Sequence, residues 1–117
     1  MGENFKRNIF FYKHHFITFY KKQTMPVQKK INWTIELIMT IEMVPKKYFS
    51  HMEGTDGLFE IRVEVGNNIF RVFSFFDEGN LVILLNGFQK KTQKTPRNEI
   101  ELADKLKKEY FNEKTTR

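Results

Sequence analysis

The chain has 117 residues, a formal net charge of +6 and a sequence pI near 9.6. This length fits one domain over residues 1–117, and the charge favours nucleic acid, an anionic surface or an acidic protein as partner. No apolar run is long enough to span a membrane, and Ile9–Tyr12 is too short for a signal peptide. The absence of cysteine excludes disulfides, thiolate metal sites and a cysteine nucleophile. We therefore expect a cytoplasmic protein without membrane contacts.

The first part of the chain is predicted to form an edge strand followed by two helices. The strand is the apolar and aromatic segment Asn8–Tyr12, which has basic residues on both sides. A short amphipathic helix follows, with apolar residues at i, i+3 and i+4: Phe16, Phe19 and Tyr20. A second helix begins near Pro26 and ends before Pro45, and its apolar stripe is Val27, Ile31, Ile35, Ile38 and Met39. The two helices should form a hairpin.

Trp33 lies off the apolar stripe of the second helix. Two interpretations follow from that position. Either the indole is an exposed contact for a partner, or it seals the edge of the helix against the rest of the protein.

Three strands should then form an antiparallel meander. From Leu58 to Val65 apolar and charged residues alternate, so that Arg62 points away from the core. Gly66 and Asn67 tolerate positive φ and predict a tight hairpin to a second strand, in which Arg71 lies among aromatic residues. The segment 81–85 is apolar throughout, as expected for a central strand covered on both faces.

A basic segment follows the meander. Between Gly79 and Asn98 there are four cations and no carboxylate: Lys90, Lys91, Lys94 and Arg97. Because no acidic residue cancels their field locally, they should attract a polyanion, with phosphate as the expected target. Pro96 then begins a third helix that runs to about Asn112. The expected fold is α+β, with an N-terminal helical hairpin packed on an antiparallel meander and closed by a C-terminal helix.

Residues 51–108 resemble the RelE/HigB-type toxins of bacterial toxin–antitoxin systems, in particular their phage-derived branch within the RelE/ParE superfamily. The blocks that carry the resemblance are HMEGTDGLFEIRV, GNNIFRVFSFFDEGN, LVILLNGFQKKTQKTP and EIELADKLKKEY, in that order. The resemblance implies a fold of the microbial-ribonuclease type and an endoribonuclease that cuts messenger RNA in the ribosomal A site. In such enzymes the 2′-hydroxyl of the RNA attacks the adjacent phosphate without a metal or other cofactor.

The same resemblance implies partners and site residues. The partners are messenger RNA, ribosomal RNA and a cognate helix-turn-helix antitoxin, and two copies are expected to pair as a homodimer in a crystal. By position, Arg62 and Arg71 correspond to cationic residues at the scissile phosphate. The segment after the last strand supplies further catalytic or phosphate-binding groups: Lys90, Lys91, Lys94 and Arg97.

The proton carrier is where this chain departs from its relatives. Some of them place His, Asp or Tyr after the last strand, whereas this chain has Phe88, Gln89 and Lys90. The remaining candidates for the general base are Lys90, Lys91, His51, Glu60 and Glu64. A lysine crowded by cations can have a lowered pKa, whereas the two glutamates could instead be salt-bridge partners of Arg62.

Two histidines near the N-terminus could be considered as metal ligands. His14 and His15 are adjacent, and they lack the i, i+4 spacing of a helical metal site, so we expect no metal. Because a proton carrier of the usual kind is missing, a non-catalytic module that binds nucleic acid or protein remains the alternative to an endoribonuclease.

Overall fold

The computed structural model describes residues 5–92 and 94–115. Its elements in chain order are β1 Asn8–Phe11, α1 His15–Lys21, α2 Met25–Thr40, β2 Phe49–His51, β3 Phe59–Val65, β4 Asn68–Asp77, β5 Leu81–Lys90 and α3 Arg97–Thr115. This arrangement confirms the α+β class. Within the described ranges, none of the helices combines the length and apolar character needed to cross a lipid bilayer.

The strands form one five-stranded sheet in the order β1-β5-β4-β3-β2. Strands β2 to β5 pair antiparallel, which confirms the predicted meander. The sheet is nevertheless mixed, because β1 pairs parallel with β5 at one edge. The prediction of a central strand covered on both faces is confirmed for β5, which lies between β1 and β4 and contributes side chains to both cores. Strand β2 was not predicted, since three residues are too few to show alternation.

Helices cover both faces of the sheet. On one face α1 and α2 pack against the sheet, with Phe16, Phe19, Ile31 and Ile38 in the core. On the other face α3 packs through Ala103 and Leu106 on this set of core residues: Leu58, Phe73, Phe75, Ile83 and Leu85. The apolar run in β5 serves both faces because successive side chains point in opposite directions. The C-terminal helix therefore closes the sheet on the side opposite to the helical pair.

Helix α2 ends at Thr40, earlier than the proline at position 45 predicts. A distant side chain caps this end. The guanidinium of Arg7 donates hydrogen bonds of 2.8–2.9 Å to three carbonyl oxygens at the end of the helix, those of Ile38, Ile41 and Glu42. The last carbonyls of a helix have no partner within the helix, so Arg7 stabilises this end.

A buried carboxylate anchors the C-terminal end of α3. Asp77 is only 5% exposed, and it accepts hydrogen bonds from Tyr110 Oη at 2.6 Å and from Lys114 Nζ at 2.8 Å. Burial raises the pKa of Asp77, but the two hydrogen bonds outweigh burial and hold this pKa below its ordinary value. At its other end α3 is tied to β5, where Asn86 Nδ2 donates to the carbonyl oxygen of Glu99 at 3.2 Å.

Candidate active site

Three cationic side chains lie on neighbouring strands at one end of the sheet. Arg62 on β3 is directly opposite Arg71 on β4, and Arg71 is opposite Phe88 on β5. Lys90 is two residues beyond Phe88 and therefore points to the same face. Side chains directly opposite each other have Cβ atoms about 5 Å apart, and diagonal neighbours are about 7–8 Å apart. The structure thus brings Arg62, Arg71 and Lys90 together.

This cationic cluster shares its sheet face with α3 but lies beyond the core that the helix covers. Phe73 and Phe88 form the boundary, with ring centroids 5.4 Å apart. Arg71 is two residues before Phe73 on β4 and therefore points to the same face, just beyond this boundary. Its side chain is 14% exposed. Lys90 is the last residue of β5 and half-buried, whereas the sequence had placed it in the following loop.

Two carboxylates each hold one arginine. Glu60, 13% exposed, forms an ion pair through Oε2 with Nη1 of Arg71. Glu64 Oε1 lies 3.1 Å from Nη1 of Arg62 and is more exposed. Both glutamates are therefore paired with arginines, as in the salt-bridge interpretation, although Glu60 pairs with Arg71 rather than with Arg62.

One hydrogen-bond donor of the Arg71 guanidinium has no partner among the described residues. This donor is Nε, which is buried. A buried donor without an acceptor is costly, and an anion bound beside the guanidinium would satisfy it.

The cluster changes the acidity of Lys90. Burial lowers the pKa of Lys90, and the positive charges of Arg71 and Arg62 lower it further. This confirms the predicted direction for a lysine crowded by cations. Burial also lowers the pKa of Arg71, but a guanidinium starts high enough to stay charged near neutral pH. The site therefore combines fixed positive charge with an amine that loses its proton more readily than usual.

The remaining predicted cations follow Lys90 along the chain. Lys91 is exposed and lines a cleft of about 430 Å³ with Ile69, Lys90 and Thr92. Lys94 is exposed, and its carbonyl oxygen accepts a hydrogen bond from Thr92 Oγ1 at 2.7 Å. Arg97 is exposed as the first residue of α3. These side chains extend the basic surface from the end of β5 to the start of α3.

His51 is not part of this cluster. It lies on β2 opposite Phe59, and the two rings meet edge to face at 5.4 Å. Phe59 packs against the core under α1 and α2, so His51 points to the face opposite the three cations. Strand pairing that the sequence did not reveal decides this orientation.

Sequence reasoning missed the neighbours of Arg62 at the edge of the sheet. The backbone N–H of Arg62 donates to the carbonyl oxygen of Tyr48 at 2.9 Å. A cleft of about 250 Å³ beside them is lined by Lys30, Lys47, Tyr48, Arg62, Glu64 and Gly66. Tyr48 comes immediately before the unpredicted strand β2, and no local pattern in the sequence marks this contact.

Comparison with known proteins places the chain in a family. The family model described as phage derived protein Gp49-like (DUF891) matches residues 18–108, more than three quarters of the chain. The matched segment contains Arg62, Arg71 and Lys90. No curated protein matches the chain significantly. The chain belongs to the phage-derived Gp49-like family, which is part of the RelE/HigB-like group of toxin–antitoxin toxins.

Proposed function

We propose that this protein is a ribosome-dependent endoribonuclease that cuts messenger RNA, acting as the toxin of its toxin–antitoxin pair. The observation that carries the proposal is the convergence of Arg62, Arg71 and Lys90 on one part of the sheet face. Membership of a toxin family and a cluster of three cations, which suits a phosphate, together favour RNA as the substrate. A cognate helix-turn-helix antitoxin and the ribosome are the proposed partners, in the cytoplasm.

The proposed reaction needs no metal. The 2′-hydroxyl oxygen attacks the adjacent phosphorus, and the bond from phosphorus to the 5′ oxygen breaks. Lys90 takes the proton of the 2′-hydroxyl, and Lys91, exposed in the same cleft, gives a proton to the leaving 5′ oxygen. The products are a 2′,3′-cyclic phosphate and a free 5′-hydroxyl.

The two arginines meet the charge that develops on the phosphate oxygens. A guanidinium can donate two parallel hydrogen bonds to a phosphate, and Arg71 still has an unused buried donor at Nε. Glu60 acts as a positioning residue, because its ion pair fixes the guanidinium of Arg71 in the site. Lys94 and Arg97 would hold phosphates further along the strand, so binding should weaken as salt is added.

The pH dependence of cleavage tests the role of Lys90. A general base must be unprotonated, so the rate should rise with pH up to the pKa of Lys90, which lies below the ordinary lysine value. Replacing Arg62 by glutamine removes a positive charge that disfavours protonated Lys90. We expect the rising limb in Arg62→Gln to move to higher pH, whatever the change in maximal rate.

A matched charge change on the other face is the control for this experiment. Lys29 is exposed on α2, and Lys29→Gln should leave the midpoint of the rising limb where the wild type has it. A midpoint that stays fixed or moves to lower pH in Arg62→Gln would show that Lys90 is not the group that titrates.

Induced expression in cells without the antitoxin tests the function as a whole. The proposal expects growth arrest together with messenger RNA cut within translated codons. Arrest without cleavage would instead favour a binding module that blocks translation, and no arrest would contradict the toxin assignment itself. Co-expression of a helix-turn-helix protein encoded by the adjacent reading frame should restore growth.

A further inference from the structure

An aromatic and basic surface lies where α2 meets the β2 edge of the sheet. Trp33 is 44% exposed, and its ring meets that of Tyr48 edge-on, with centroids 5.3 Å apart. Lys30 Nζ lies 4.5 Å from the centroid of the Trp33 ring, and Lys47 Nζ lies 5.0 Å from that of Tyr48. We call these four residues the Trp33–Tyr48 surface.

The Trp33–Tyr48 surface is continuous with the cationic cluster. Arg62 connects the two, because its backbone N–H donates to the carbonyl oxygen of Tyr48 and it lines the 250 Å³ cleft together with Lys30, Lys47 and Tyr48. Three cations line this cleft, from Lys30, Lys47 and Arg62, against the single carboxylate of Glu64. Since Glu64 already pairs with Arg62, the charge of the two lysines is not balanced by the residues lining the cleft.

This combination of groups fits a nucleic acid strand better than an acidic protein. An acidic protein would satisfy the lysines and could pack on the indole, so it is the competing occupant that the experiment must distinguish. A single RNA strand presents phosphates for the cations and flat bases for the rings, and stacking on aromatic side chains tolerates any base. Lysines seated beside the rings would reach the phosphates that flank a stacked base.

We propose that the Trp33–Tyr48 surface binds a single-stranded segment of the substrate RNA, with a base stacked on Trp33 or Tyr48 and the neighbouring phosphate at Arg62, where the surface meets the cationic cluster. This inference rests on the proposed function, since it states how the RNA next to the cut is held. It assigns a binding role to Trp33, Tyr48, Lys30 and Lys47.

The intrinsic fluorescence of Trp33 can report binding at this surface, because Trp33 is the only tryptophan in the chain. The experiment titrates the wild-type protein with a single-stranded RNA oligonucleotide whose 2′-hydroxyls are methylated, so that it cannot be cut. We expect quenching of the Trp33 fluorescence and binding about tenfold tighter than for an abasic oligonucleotide of the same length and charge. Tyr48→Ala should weaken binding about tenfold, whereas Tyr48→Phe, which keeps the ring, should bind like the wild type.

An exposed aromatic residue at the other edge of the sheet provides the matched control. Phe10 on β1 is 49% exposed, and Phe10→Ala should leave both quenching and affinity unchanged. Equal binding of the base-containing and abasic strands, without a fluorescence change, would overturn the proposal. So would quenching by an acidic peptide but not by the oligonucleotide, which would mark the surface as a protein contact.

The two proposals fail in different ways. If the wild type cuts RNA while Trp33 does not respond and Tyr48→Ala binds normally, the inference is wrong and the endoribonuclease function stands. If the oligonucleotide binds and quenches Trp33 but the protein never cuts RNA, the binding surface stands and the proposed reaction is wrong.

Discussion

Replacing Arg71 by alanine is expected to lower the rate of RNA cleavage by about 10²- to 10³-fold. Arg71 lies in the middle of the cationic cluster, between Arg62 on β3 and the end of β5. Its side chain is mostly buried, so in the proposed site it would meet a phosphate in surroundings that contain little water, where an electrostatic interaction is stronger than in bulk solvent. Rates of cleavage by purified variants on ribosomes programmed with a defined messenger RNA would measure the loss.

The ion pair with Glu60 calls for a folding control. Arg71→Ala leaves the carboxylate of Glu60 half-buried without its partner, which destabilises the protein as well as the site. The double variant Glu60→Gln with Arg71→Gln removes both charges together, so it should fold better than Arg71→Ala and remain inactive. Arg71→Lys keeps the charge without the planar fork and should have intermediate activity. Full activity in folded Arg71→Ala would refute the assignment.

Gly87→Ala is expected to lower the free energy of unfolding by about 1–3 kcal/mol. A Cβ atom at position 87 would lie 2.5–2.9 Å from three ring carbons of Phe19, a buried residue of α1. Helix α1 can therefore pack against β5 only because residue 87 has no side chain. Denaturant unfolding of the variant should show a lower midpoint with an unchanged slope.

A double-mutant cycle isolates this contact. Phe19→Leu removes ring atoms that the new methyl group would meet, although it leaves a partly empty space of its own. If steric conflict is the cause, the double variant should be less destabilised than the sum of the two single variants. Strict additivity would mean that the cost of Gly87→Ala arises elsewhere, for example in the backbone of β5.

Local periodicity was sufficient to predict most of the helices and strands. The i, i+3, i+4 stripes identified α1 and α2, and alternation identified β3 and β4. Three features depend on distant contacts and leave no local pattern: the parallel pairing of β1, the three-residue strand β2 and the end of α2. The last depends on Arg7, more than thirty residues away in sequence.

The candidate site was predictable only in part for the same reason. The tight turn at Gly66–Asn67 sets the register of β3 and β4, so the juxtaposition of Arg62 and Arg71 follows from the sequence. Lys90 was harder to place because β5 carries an extra residue opposite β4 between Val72 and Ser74. This irregularity breaks the simple alternation of β5.

Two further placements depended on strand β2. His51 was a candidate general base but lies on the opposite face from the cationic cluster, and the contact between Tyr48 and Arg62 was not predicted. Both depend on a strand that is too short to recognise in the sequence. The residues at this edge acquire their neighbours only when β2 pairs with β3.

The most direct measurement maps the cut ends of messenger RNA produced by wild type and by Arg71→Ala on intact ribosomes. If the cationic cluster is the catalytic centre, primer extension will find cuts in the wild type that are nearly absent in the variant. The upstream fragments will end in a 2′,3′-cyclic phosphate and the downstream fragments will begin with a 5′-hydroxyl. Cuts that leave a 5′-phosphate or that persist unchanged in Arg71→Ala would contradict this account.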